Sequence, residues 1–173
     1  MDIVDFLYQA GSLKDVARSG WKTVGIEPES VSEHSYRTAL IAYVLAKEAG
    51  VENTEKALLA ALLHDIHEAR TTDLHLVAKK YAKVDEDSAR KDSMGAFEYF
   101  NSLFSDKAIM EIVDDADKLE CIMQAKEYQD LGNPYVKDWI KNGSAQLKTE
   151  AAKKLCKRAL ERDSFNWLFE ARK

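Results

Sequence analysis

Seven consecutive apolar residues, Ala57, Leu58, Leu59, Ala60, Ala61, Leu62 and Leu63, run directly into His64 and Asp65. A helix that is apolar on nearly every side must be covered by other elements, so residues 57–63 predict a central, buried helix. Ending such a run in an imidazole and a carboxylate is costly unless each is paired, hydrogen-bonded or bound to a metal. Neutral imidazole and ionised carboxylate are ordinary ligands for divalent first-row ions, and a single ion satisfies both.

The rest of the chain reads as helix as well. Only 7 Gly and 2 Pro in 173 residues leave too little turn chemistry for a sandwich or barrel. Asp2 is placed to cap a first helix with Ile3, Phe6, Leu7 and Ala10 on one face, ended by Gly11. Residues 19–31, with Gly20, Gly25 and Pro28, read as a loop over the surface or across a pocket. Ser30-Val31-Ser32-Glu33 is a capping box; it opens a helix to about Ala49 with His34 in its first turn and Tyr36, Leu40, Tyr43 and Val44 along one side.

Gly50 closes that helix, and Asn53 or Thr54 caps the next, which carries the apolar run and His64-Asp65. A helix over about 87–103 follows, with Met94, Phe97 and Phe100 as core candidates. Ser105 is placed to cap a long helix over about 106–131 that carries Asp117, and Gly132-Asn133-Pro134 breaks it before two amphipathic C-terminal helices. No repeat or linker divides the sequence, so residues 1–173 read as one all-α domain, a helical bundle around a central buried helix.

Bulk properties narrow the function classes. A formal charge of −5 disfavours nucleic-acid binding through a basic face, while leaving room for a small cationic pocket. Cys121 and Cys156 form no paired metal spacing and no disulfide framework, and fall in helical patterns as structural thiols. The N-terminus is acidic where a signal peptide is basic, and no apolar stretch spans a membrane, so the expected address is the cytoplasm.

His34 and Asp117 are the natural complements to His64-Asp65. Each has a bland reading alone: a His beside a helix cap is ordinarily a surface residue, and an Asp within Asp114-Asp115-Ala116-Asp117 is ordinarily solvated. Together the four supply two imidazoles and two carboxylates from three helices, a set that leaves coordination positions for water and so suits catalysis. His67 does not complete the helical zinc-protease pattern, since Asp rather than Glu follows His64, and it is expected to face solvent or a neighbouring helix. Glu68, one turn after His64, shares its face and is placed to reach a metal-bound water.

His34, His64-Asp65 and Asp117 match the H…HD…D signature, and the chain resembles the HD superfamily of metal-dependent phosphohydrolases. The flanks are more specific. Arg18-Ser19-Gly20-Trp21, Glu29 to Ser35, His64-Asp65-Ile66-His67-Glu68, Thr72-Asp73-Leu74 and Asp115 to Glu120 look like the 5′-deoxynucleotidase branch, which includes the HD-domain-containing protein 2 relatives. The resemblance implies an all-helical HD domain and a homodimer. It implies hydrolysis of deoxyribonucleoside 5′-monophosphates to deoxynucleoside and phosphate.

It further implies one divalent ion, manganese or cobalt above zinc, magnesium, nickel or iron, on the residues matching His34, His64, Asp65 and Asp117. Arg18 and Trp21 match substrate contacts, the tryptophan at the position linked to choosing deoxyribose. Glu68 and Asp73 match positions assigned to catalysis or substrate binding. In the bacterial enzyme Arg is followed directly by Trp, whereas Ser19-Gly20 separates them here, as in the eukaryotic and archaeal relatives; sugar choice is therefore less well specified than hydrolysis. After Asp73 the loop departs from the bacterial pattern, so His75 and Leu76 are candidate substrate neighbours, with His75 touching phosphate or nothing. Two rival readings stay open: a related phosphohydrolase acting on nucleoside triphosphates, cyclic nucleotides or a phosphorylated metabolite, and a nucleotide-binding protein without turnover.

Overall fold

A computed structural model describes residues 1–95 and 98–173, with the side chains of Glu98 and Asn101 left aside. Among the described residues the regular structure is helical: α1 (Ile3–Ser12), α2 (Ser19–Lys22), α3 (Val31–Glu48), α4 (Thr54–Leu63), α5 (Glu68–Thr71), α6 (Glu86–Met94), α7 (Glu98–Leu103), α8 (Lys107–Asp130), α9 (Lys137–Gln146), α10 (Glu150–Leu160) and α11 (Asn166–Glu170). Among the described residues, Ala17 and Ser30 form an isolated antiparallel β-bridge.

The helix starts follow from local chemistry. Asp2 accepts from the Val4 N–H, as its position predicts. Ser30 and Glu33 close the capping box reciprocally, which fixes where α3 begins and so where His34 stands. Asn53 rather than Thr54 caps α4. Asp106 rather than Ser105 caps α8, its carboxylate accepting from the Ala108 and Ile109 N–H groups.

The core is built where α3 meets α4 and α8. Ala42 and Ala46 of α3, Ala57, Ala60 and Ala61 of α4 and Ala116 of α8 are all fully buried. Residues this small let helices approach closely, so groups projecting from three helices can meet. Larger fully buried side chains, Leu45, Leu119 and Ile122 among them, supply the apolar burial, each about 1.5–3 kcal/mol. The expected central helix is thus part of a three-helix centre; on α4 the covered face excludes Leu62, which is 40% exposed. On the far side of α8, Gly143 of α9 is required by proximity, since a Cβ there would sit 2.8 Å from Ile122 Cγ1.

Three expectations change in detail. α4 stops at Leu63, so His64-Asp65 lies in the following turn rather than inside the helix. Gly95, at φ +54°, ends α6 and separates it from α7, where one helix was expected. Ile3 and Leu7 of α1 are exposed and only Phe6 of that face is buried, stacked on Phe100. Met94 is buried as expected, and Phe97 lies outside the described residues.

Candidate metal centre and substrate cavity

Four side chains from three elements converge. His34 projects from the first turn of α3, His64 and Asp65 from the turn after α4, and Asp117 from the middle of α8. His34 Nε2 is 3.3 Å from His64 Nε2, 3.2 Å from Asp117 Oδ1 and 3.7 Å from Asp65 Oδ2. His64 Nε2 is 3.2 Å from Asp65 Oδ2 and 3.9 Å from Asp117 Oδ1. Donors bound at about 2.1 Å to one ion stand roughly 3.0 Å apart at right angles and about 3.4 Å apart at tetrahedral angles. The observed spacings fit a common ion with slight contraction.

The outer atoms of the two imidazoles decide which nitrogens face inward. His34 Nδ1 lies 2.5 Å from Glu120 Oε2, and His64 Nδ1 lies 2.6 Å from the Ala61 carbonyl. Both partners are acceptors, so each Nδ1 carries the proton and each neutral ring presents its Nε2 lone pair to the other. Two lone pairs 3.3 Å apart repel unless a cation lies between them. That juxtaposition suits a cation held between the two rings.

Without a metal ion, protons take that role. Burial opposes charging of His34, and so does Arg18, but its hydrogen bonds to the Asp117 and Glu120 carboxylates outweigh both and raise its pKa. Burial likewise opposes a charge on His64, and Asp65 with Asp117 outweighs it, leaving the pKa well above the usual range. Desolvation works against ionisation of Asp65 and Asp117, yet the two histidines hold both carboxyls well below the ordinary carboxylate range.

Behind His34 stands a relay that sequence reasoning missed. Glu120 is fully buried, and its other oxygen accepts from Arg37 Nε at 3.0 Å and Nη2 at 2.7 Å. Arg37 also donates to Glu127 and Gln124, so it is itself held in place. A ligand imidazole oriented by a carboxylate is the usual outer support of a metal site. The available signal was spacing: Glu120 follows Asp117 by three residues and Arg37 follows His34 by three, one helical turn in each case.

A cavity of about 720 Å³ opens beside the four donors. Arg18, Trp21, Asp65, Glu68, Asp73, His75, Leu76 and Asp117 all line it. Arg18 reaches Asp65 at 3.5 Å and Asp117 at 4.0 Å; burial works against its charge, but these carboxylates and Asp73 more than compensate. The segment bearing Arg18 is fixed by backbone bonds, Arg18 N–H to the Glu29 carbonyl and Val31 N–H to the Val16 carbonyl. Within residues 19–31, Gly20, Trp21 and Thr23 line the cavity, and α2 gives the segment a helical turn where only loop was expected.

Trp21 is mostly covered, at 2% exposure. It packs edge-on against Tyr128 and beside Trp139, and its indole N–H donates to Glu29 Oε1 at 3.3 Å. Only a limited edge therefore reaches the cavity. Burial, with Glu120 nearby, raises the Glu29 carboxyl to about 7. The Cys121 thiol at the cavity wall is raised by burial to about 12, which makes it inert at neutral pH.

Glu68 opens α5 and is buried, and among the described residues its Oε2 has no partner. Burial, and then the neighbouring Asp65 and Asp73, raise its carboxyl to about 8. Thr72 ends α5 at φ 60° and ψ 165°, a region costing a side-chain-bearing residue about 1–3 kcal/mol. This bend sends Asp73 back to α2, where its Oδ2 accepts the Ser19 N–H at 2.6 Å. Ser19 Oγ in turn accepts the His75 N–H. His75 Nδ1 is taken by the Ala78 N–H, while Leu76 is largely exposed at the rim. Lys118 lines the cavity and donates to the Asp114 carbonyl rather than to a carboxylate. His67, expected at solvent or against a helix, is buried, and burial together with Arg90 lowers its pKa.

Comparison with known proteins places this geometry. Residues 10–107 match an HD domain. The 5′-deoxynucleotidase HDDC2 of Mus musculus is 31% identical over 147 residues, covering 76% of this chain and 72% of that protein. Among solved structures, a conserved hypothetical protein from Pyrococcus furiosus is 33% identical with a TM-score of 0.77, covering 92% of this chain and 99% of that one. The cyanophage S-2L HD phosphohydrolase DatZ, bound to dA and one catalytic Zn2+ ion, has a TM-score of 0.59 at 17% identity, covering 92% and 96%. At that identity the likeness is one of fold.

Proposed function

The chain belongs to the HD-domain family, and from that membership we propose that it hydrolyses deoxyribonucleoside 5′-monophosphates to deoxynucleoside and inorganic phosphate. Residues 1–173 act in this reading as one HD domain, with His34, His64, Asp65 and Asp117 holding one divalent ion. The observation that carries it is the pair of Nε2 atoms 3.3 Å apart, flanked by two carboxylates at the edge of a cavity that also holds Arg18. Relatives named 5′-deoxynucleotidase, from Mus musculus among others, support the substrate class. A cavity near 720 Å³ lies within the range of small-molecule sites.

When bound, the ion supplies positive charge to a phosphoryl oxygen and a water of lowered pKa. The chain's own groups do the rest. Arg18 presents a planar cation to a second phosphate oxygen and limits the negative charge carried into the cavity. Glu68, its carboxyl raised to about 8, suits exchanging a proton with the attacking water, because an acid–base group works best with a pKa near the working pH. Asp73, held by the Ser19 N–H on the neighbouring wall, is assigned to the leaving 5′ oxygen. Trp21 presents its uncovered edge to the sugar, with His75 and Leu76 at the mouth. Manganese and cobalt are the ions that the resemblance favours, and zinc belongs in the same assay because the DatZ structure carries it.

The test is a panel of dAMP, AMP, dATP and a cyclic nucleotide, incubated with chelated protein restored by each metal. Phosphate release from dAMP above AMP is the expected result. Selective turnover of the triphosphate or the cyclic nucleotide would replace this reading with the related phosphohydrolase. We further propose a homodimer. No membrane-length apolar helix is present among the described residues. Tyr36, Leu40 and Val44 form a stripe on α3 that is 65%, 46% and 43% exposed and offers a face for a second copy. Light scattering at micromolar protein should give twice the chain mass, and a monomer would remove this part.

A further inference from the structure

α9, in the least diagnostic third of the sequence, forms a wall of the substrate cavity. Asp138, Trp139, Asn142, Gly143 and Gln146 all line it. They recur three to four residues apart, so they share one face of the helix. Asn142 and Gln146 are exposed, and among the described residues neither side-chain amide makes a hydrogen bond. Their donors and acceptors are therefore free to meet a ligand. Trp139 is half-buried, its ring 5.4 Å from that of Trp21.

The place of this wall follows from α8, which lines the same cavity with Asp117, Lys118 and Cys121. Gly143 packs on Ile122, because its missing side chain lets α9 approach α8 closely. Ile122 lies five residues beyond Asp117, roughly 7.5 Å further along the helix at about 1.5 Å per residue. The α9 wall is thus set back from the metal donors by more than one turn, where Trp139 meets Trp21. Carboxylates and Arg18 surround the donor end, whereas this face of α9 offers an indole and two neutral amides.

We propose that this face of α9 is the nucleobase subsite. With phosphate at the metal donors and Arg18, and the sugar at Trp21, the base lies against Trp139 while the Asn142 and Gln146 amides hydrogen-bond its edge. An indole gives a heteroaromatic ring a flat apolar partner. A primary amide carries both donors and an acceptor, the combination with which Asn and Gln pair with adenine N6 and N7. The subsite rests on the proposed nucleotide substrate and extends it to the end remote from the reacting phosphate.

The test compares dAMP with deoxyribose 5-phosphate, the same ester without a base. Dissociation constants are measured on the chelated full-length chain, and kcat and KM on the Mn2+-restored chain. The native chain should favour dAMP in both. Asn142→Ala and Gln146→Ala should each cut that preference by about 2–10-fold, the loss of one neutral hydrogen bond, and chiefly through KM. Both positions are exposed and alanine favours helix, so the fold should persist, as circular dichroism checks. Equal binding of the two esters by the native chain, or an undiminished preference in the folded double variant, would overturn the subsite. Base-dependent binding that the double variant loses, without phosphate release, would leave the subsite standing and remove the proposed activity. Phosphate release from dAMP with an undiminished preference would do the reverse.

Discussion

On the wall formed by α3 and α8, both ring nitrogens of His34 face partners, and the Glu120 behind it is held by Arg37. Across the cleft, on the turn leading into α5, His67 and Glu68 each bury an atom with no partner among the described residues. The difference lies in the elements. α3 and α8 are long helices whose faces run beside each other for many residues, so each donor has a chance to meet an acceptor one turn away. The turn and α5 together span residues 64–71, and α5 contributes a single turn, so few acceptors lie one helical turn from His67 and Glu68. A satisfied wall holds its imidazole ready for an ion.

The largest expected effect removes the carboxylate of the turn that reaches across to His34. Asp65→Ala should bring dAMP turnover down to that of chelated protein, with metal content falling in parallel by elemental analysis; a metal-loaded, active variant would break the four-donor set. Next comes the unsatisfied wall. Glu68→Gln should cut kcat by roughly 10²–10⁴-fold while His34, His64 and Asp117 still retain an ion, read from steady-state kinetics beside metal analysis. Unchanged kcat would make Glu68 structural.

On the satisfied wall the loss should be smaller and reversible. Glu120→Ala should weaken metal affinity by about 10–100-fold, with turnover recovered at high metal concentration. A loss of kcat that excess metal does not restore would mean that Glu120 does more than orient His34. The smallest effect is on pH. His34 and His64 have raised pKa values in the chelated protein, so that stabilisation is complete below about 6.5 and fades as pH rises through the raised values. An ion must displace those protons, so metal affinity should climb by up to about tenfold per pH unit for each proton released while pH lies below the raised values, and level off above them. Calorimetric titrations at several pH values check the sign; affinity that falls with rising pH would contradict it.

Much of this wall was legible in the sequence, because its signals are local. The Ser30 capping box located the start of α3 and hence His34, and the apolar run located His64-Asp65. What escaped was long-range. Glu120 meets His34 across 86 positions, and no local pattern announces that pairing. The acidic run on α8 illustrates the same limit. Asp115, two residues before Asp117, is fully buried and accepts from the Lys148 and Thr149 N–H groups and the Thr149 hydroxyl, securing the start of α10. Composition predicts a solvated run; only the packing of α10 on α8 separates the structural Asp from the one at the cleft. Likewise, periodicity groups Tyr36, Leu40 and Val44 on one face of α3 but does not say what covers that face. The break at Gly95 was missed because a glycine inside a helical pattern is tolerated often enough to be read through.

The placement of the ion by the satisfied wall is tested most directly by anomalous diffraction near the manganese absorption edge, using crystals soaked in Mn2+. The strongest peak should lie among His34 Nε2, His64 Nε2, Asp65 and Asp117. Manganese-dependent phosphate release from protein whose crystals show no peak there would contradict it.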